Sequence, residues 1–211
     1  MPTITVYADT GSNDGYISST NSTYSTARSG GTLTADTSAT TAMIGQGFSS
    51  PTYACYEAFF SFDTSFVGFA SSVSSATFSL YGNADWSFTD FTIEARISDW
   101  GTSLTTADWV AGASLSALTS VATFATSSTF STSAYNDFTN VALPANINKS
   151  GTTRLICFSS RQSGNNTPSS FEYVIAYTAD QTGTSNDPKL SITYTETTNQ
   201  IKKVAGVSNI S

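Results

Sequence analysis

The sequence predicts an all-β chain, an antiparallel β-sandwich of jelly-roll type, and three observations carry that expectation. Short runs rich in β-branched and aromatic residues recur along the whole chain, divided by Ser/Gly/Asn/Pro clusters. Several of these runs alternate with period two, as half-buried strands do. Helical spacing is scarce: only "TTADWVAGASLSAL" (105–118) suggests a turn or short helix, and its glycine and serines weaken it.

From the N-terminus, strands are expected near 3–8, 15–18, 53–63, 75–81, 91–97, 120–124, 137–143, 153–160, 171–178 and 189–195. In "FTIEARI" one parity holds Phe91, Ile93, Ala95 and Ile97, and the other holds Thr92, Glu94 and Arg96. One face is therefore buried and one wet. "SATFSLYG" places Ala76, Phe78 and Leu80 on one parity, opposite Thr77, Ser79 and Tyr81. The stretches "ARSGGTLTADTSATT", "TSSTFSTSAYND", "RQSGNNTPSS" and "ADQTGTSNDP" read as loops. With no helices between strands, an antiparallel sandwich is favoured over any βαβ arrangement. No internal repeat or linker divides the chain. Residues 1–195 read as one jelly-roll-like β-sandwich, and 196–211 as an appended C-terminal tail.

Composition narrows the classes of function. Serine and threonine make up about a third of 211 residues, while only 11% are charged. The surface must then be covered with hydroxyls, as in secreted modules and virus particles. A net charge of −7 argues against a nucleic-acid or anionic-membrane partner, since either demands a cationic face. No apolar run is long enough for a bilayer. The start, "MPTITVYADTGS", enters strand-like sequence without a basic or apolar leader. Cys55 and Cys157 lie in strand-like runs; buried free thiols are expected, with a bridge between neighbouring strands left open.

"YEAFFSFDTS" (56–65), "SVSSATFSLYG" (72–82), "ISDWGTSLTTADWVAG" (97–112) and "NDPKLSITYT" (186–195) follow one another in an order that resembles the DNRLRE domains. Those are jelly-roll-like modules of bacterial surface and phage structural proteins, related in shape to carbohydrate-binding modules. The charged signature that names the family is missing here, so the likeness is one of architecture. The end, "IKKVAGVSNIS" (201–211), resembles the Ile-x-Lys-Val-x-Gly-Val unit carried near the C-termini of phage tail and virion proteins. Ile201, Lys202, Lys203, Val204, Val207 and Ile210 make it basic and apolar. It reads equally as a solvated terminus or as a strand added to a neighbouring subunit.

Catalytic and metal-binding constellations are thin. With no histidine, the Ser-His-Asp triad and histidine-based zinc sites are excluded. A paired-carboxylate glycosidase would need two of Glu57, Glu94, Glu172 and Glu196 facing one cleft. The resemblance to jelly-roll carbohydrate modules raises a structural calcium, with Asp9, Asn13 and Asp14, and further along Asn186 and Asp187, as weak candidates. Plain turns are the favoured reading of those loops, with no cofactor. Glycan binding would use an exposed aromatic ring beside a polar side chain; Trp86 with Asp85, then Trp100, Trp109 and Tyr135, are the candidates.

The function expected from this is that of a non-enzymatic virion structural protein of a tailed phage, a capsid decoration or a head or tail fibre component. It would sit on the virion surface and act through contacts with coat or fibre subunits. Symmetric copies are expected, a trimer being the form that fibres and capsid three-fold positions impose. The alternative is a glycan-binding module, on a phage fibre meeting a host surface glycan or on a secreted bacterial protein.

Overall fold

The computed structural model describes residues 1–196. Within them, thirteen strands make one antiparallel sheet that curls over itself, with two short helices and several 3-10 turns in the connections. The fold is all-β and jelly-roll-like. The strands are β1 (Thr3–Tyr7), β2 (Gly15–Asn21), β3 (Thr32–Asp36), β4 (Thr41–Ser49), β5 (Thr52–Asp63), β6 (Ala70–Ser87), β7 (Ile93–Ile97), β8 (Ser120–Phe124), β9 (Tyr135–Asp137), β10 (Thr139–Asn140), β11 (Thr152–Ser159), β12 (Phe171–Tyr177) and β13 (Lys189–Glu196). Helix α1 covers Tyr24–Gly30 and α2 Ser160–Ser163. The main path runs β1-β13-β6-β12-β4-β5-β11-β7-β8-β10.

The curl comes from two long strands that change partners along their length. The first half of β5 pairs with β4 (Gly45 opposite Tyr56), and the second half pairs with β11 (Cys157 opposite Ala58). Strand β2 spans both halves of β5, from Tyr53 to Phe59. A strand has only two edges, so β4 and β11 must share the edge that β2 leaves free. They diverge there into the two layers of the sandwich. Strand β6 likewise pairs first with β13 and then, from Gly82 on, with β12, with a register shift between Gly82 and Ala84.

Between the layers lies the main core: Ala58, Phe60 and Phe62 of β5 with Phe78 and Leu80 of β6, Leu155 and Cys157 of β11 and Val174 of β12. The opposite parity of β5 and β11 is buried too. Phe59, Ile156 and Phe158 form a second core with Ile17, Trp100, Leu104 and Leu115, under the loop that follows β7. Burial on both faces explains why "YACYEAFFSF" is a continuous apolar run and not an alternation.

Ten strands were expected, and each has a counterpart, the one near 137–143 appearing as the short β9 and β10. Two further strands, β3 and β4, lie where loop or no strand was read, and Tyr24–Gly30 is helical. The 105–118 stretch forms two 3-10 turns, Thr106–Asp108 and Leu115–Ala117. Cys55 and Cys157 are buried free thiols. Their register places them on opposite faces, Cys157 beside Ala58 in the main core and Cys55 on the other parity of β5, so the open question of a bridge closes against it. The tail residues Ile201 to Ile210 lie outside the described residues. Among the described residues no helix is long and apolar enough to cross a membrane.

Candidate functional site

The outer face of the β6-β12-β4-β5 layer is the candidate. One register row crosses four strands: Trp86 opposite Tyr173, Tyr173 opposite Gly45, and Gly45 opposite Tyr56. The next row places Phe171 opposite Gly47. Phe88 joins this row through its backbone, its N–H donating to the Phe171 carbonyl at 3.1 Å. A third row, Ala84, Ile175 and Met43, continues the same face.

The rings form a continuous strip. Trp86 lies 6.2 Å from Phe171 and 6.5 Å from Phe88, centroid to centroid. Phe171 lies 5.6 Å from Tyr173, which meets Tyr56 edge-on at 5.4 Å. Trp86 is 44% and Phe88 69% exposed, while Phe171, Tyr173 and Tyr56 are half-buried by one another. Burial pushes the Tyr56 phenol up to about 12, with the Tyr173 and Tyr16 phenols beside it adding to the rise. Burial raises Tyr173 as well. The strip is therefore uncharged at any ordinary pH.

Gly45 makes the row. Its φ is +134°, and a Cβ there would lie 2.3 Å from the Glu172 carbonyl oxygen. A side chain would also stand between Tyr56 and Tyr173. Gly47 leaves the next row open in the same way, with the Phe171 ring 3.3 Å from where its Cβ would be. Two bare positions on β4 let rings from β12 and β5 close over it.

Of the predicted glycan residues only Trp86 stands in this strip; Tyr135 lies farther along the same face, in register with Tyr81, whose ring also meets Tyr177. Asp85 is in register with Val174, a core position, and not with Tyr173, so it points away from Trp86's side. Its Oδ1 accepts from the Ser87 N–H (2.8 Å) and hydroxyl. Alternation along the strand separates the pair that adjacency in sequence suggested. Trp100 is a packing residue, 6% exposed and edge-on to Phe59 at 5.2 Å. Trp109 packs against the same second core, with its indole N–H buried. Tyr135 is half-buried; its hydroxyl donates to the Ser185 and Asp187 carbonyls, and the Lys189 ammonium caps its ring at 3.5 Å. Large aromatics in the loops were drawn into cores because that is where most of their area can leave water.

The carboxylates do not line a cleft. Glu57 and Glu172 are buried on the side of the sheet covered by α1 and α2. Glu57 accepts from the Gln162 side chain (2.9 Å) and the Val110 N–H (3.1 Å), and burial holds its carboxyl well above the ordinary range. Glu172 accepts from Gln46 and Arg161, both at 2.7 Å, and Gln46 in turn accepts from the Tyr24 hydroxyl. Glu94 is paired with Arg96. These groups fasten α1, α2 and the 105–112 segment to the sheet.

The loops that hold the weak calcium candidates bury one of them. Asp14 is fully buried, its Oδ2 accepting from the Ala179 N–H at 2.8 Å. Desolvation first, then the nearby Asp180, Asp187 and Asp9, pushes its carboxyl up to about 8. Asp9 accepts from the Ser61 hydroxyl, and Asn13 ends a 3-10 turn. Among the described residues no three acidic, cysteine or histidine side chains converge to hold a metal. Asp14 Oδ1 and Asp180 Oδ2 lack partners, but two carboxylates do not make the six to eight oxygens calcium takes.

Comparison with protein-family models and with curated proteins finds no match for this chain. The DNRLRE resemblance rests on the short segments quoted from the sequence.

Proposed function

We infer that the chain is a non-enzymatic structural module of a tailed-phage particle, working through contacts with neighbouring subunits. The observation that carries this reading is the outer strip of Trp86, Phe88, Phe171, Tyr173 and Tyr56. Contiguous exposed apolar surface on a folded module marks an interaction site, and aromatic rings are what the centres of protein interfaces are enriched in. The phage-type segment at 201–211 and the Ser/Thr-rich, weakly charged composition point to the same class of protein. A glycan on the strip is the second reading, favoured by the exposure of Trp86. It is weaker because Asp85, the polar partner it needs, belongs to the other side of the strand.

Quantitative mass spectrometry of purified particles from the source, scaling this chain to the major coat protein, tests the reading. Hundreds of copies per particle mean a capsid decoration, and a few dozen or fewer mean a fibre or tail component. Absence from the particles overturns it and brings the secreted glycan-binding module forward.

A further inference from the structure

A second surface feature lies five positions along β5 from Tyr56, where Ser61 stands opposite Arg154 of β11. There a cavity of about 160 Å³ opens between the end of β7 and the start of β11. Ile97, Ser98, Asp99, Asn146, Asn148 and Arg154 line it. One wall is apolar and the rest is polar. Its size is below that of pockets for drug-sized ligands, and suits one small ring.

Arg154 is unlike the other three arginines. Arg28 donates to the Gln162 and Ser163 carbonyls, Arg96 to Glu94 and two carbonyls, and Arg161 to Glu172. The Arg154 guanidinium has an ion-pair contact at 3.2 Å with Asp99, whose side chain is 79% exposed, and makes no hydrogen bond among the described residues. Its Nε is buried and unpartnered. The group rests over the Trp100 ring, 5.9 Å from the centroid, and the Trp100 indole N–H is also buried without an acceptor. Buried donors nearly always have partners, and with Nε enclosed it is the Nη end of the guanidinium that is left to meet an acceptor in the cavity.

We propose that this cavity binds a carboxylate-bearing sugar residue, such as a uronic acid. A planar carboxylate accepts two parallel N–H bonds from a guanidinium, which a lone hydroxyl cannot. The Trp100 face fixes the plane of the fork in advance, so little ordering is lost on binding. Asn146, whose Nδ2 donates to the Ala142 carbonyl at 2.9 Å, then offers its Oδ1 and Ser98 its hydroxyl to the ring hydroxyls, and Ile97 supplies the apolar wall. Asp99 Oδ1 also accepts from the Gly101 N–H at 3.0 Å, so it keeps its place beside Nη1 and the entering carboxylate meets the guanidinium from the cavity side. This site stands apart from the aromatic strip and does not depend on how that strip is used.

The test is a titration of ¹⁵N-labelled full chain with glucuronate, following the Arg154 Nε–H and Trp100 indole N–H signals. A ligand of this size is expected to saturate both with a Kd of about 1 mM. Glucose at equal concentration should leave the Arg154 signal in place. Arg154→Met should abolish the shift at Trp100, and Arg154→Lys, which keeps the charge but not the fork, should weaken binding about tenfold. Asn146→Ala should weaken glucuronate and leave acetate unchanged. Unmoved signals in the native chain, or undiminished binding in a folded Arg154→Lys variant, overturn the proposal. Equal saturation by acetate or inorganic phosphate would leave a bare anion site and overturn the sugar assignment.

Discussion

Tyr56 and Tyr173 touch edge to face at 5.4 Å although a whole strand runs between them, because the residue that separates them in register is Gly45. The contact joins the two halves of the aromatic face and depends on the backbone of β4. At φ +134° an alanine would be strained, and its methyl would meet the Glu172 carbonyl. Gly45→Ala should cost roughly 2–4 kcal/mol, a fall in Tm of about 5–15 °C for a chain of this size. Thermal unfolding decides it; a native Tm would mean that the strip does not need this row.

The three tryptophans should separate cleanly. Trp100→Ala empties part of the second core and should lose about 3–5 kcal/mol. Trp86→Ala removes an exposed ring and should stay within about 0.5 kcal/mol of the parent. Chemical denaturation of both variants compares them directly, and similar losses would contradict the assignment of Trp86 to the surface.

The cysteines give a third check. Burial pushes the Cys55 thiol up to about 12, Glu57 beside it adding to the rise, and burial alone raises Cys157 further. Neither thiol should react with a thiol-specific disulfide reagent in the native chain, and both should react in denaturant. Reducing agent should leave Tm unchanged, since the two face opposite sides of the sheet.

Stability should fall as pH rises. The Asp14 carboxyl keeps its proton up to about pH 8 in the fold, whereas an unfolded chain gives it up near 3.8. Glu57 is shifted the same way. Between those limits the folded chain holds protons that the unfolded chain has released, so each step up in pH favours unfolding. Below the lower limit the two states are protonated alike and the effect ends. Asp14→Asn should therefore raise Tm by several degrees at about pH 8, on the order of 1–2 kcal/mol, and change little at about pH 4. An equal effect at both pH values would contradict a protonated Asp14.

Much of the fold is legible in the sequence where one face of a strand is buried and the other is not. Ala76, Phe78 and Leu80 alternate and are all in the core. Strand β4, "TAMIGQGFS", escapes because Gly45 and Gly47 erase its outward parity. The strip itself needs register between four strands, which no single run contains. A trace of it is present in "FEYVIAY", where Phe171, Tyr173, Ile175 and Tyr177 share one parity, and in Trp86 and Phe88 two residues apart. The Asp85–Trp86 pair misled for the opposite reason, since adjacent residues on a strand face opposite ways. Nothing in the sequence distinguishes Arg154 from the other arginines; its spare donors arise from which partners the fold failed to bring to it.

The central claim, that the aromatic face is a subunit contact of a particle, is tested most directly by a double variant, Trp86→Ser with Phe88→Ser. Its incorporation into particles would be measured by quantitative mass spectrometry against the major coat protein, beside its Tm. Loss of at least about tenfold in copy number at an unchanged Tm is the expected result, because the face would lose its most exposed rings and nothing else. Native copy number at an unchanged Tm would contradict the claim and leave the strip without a role in assembly.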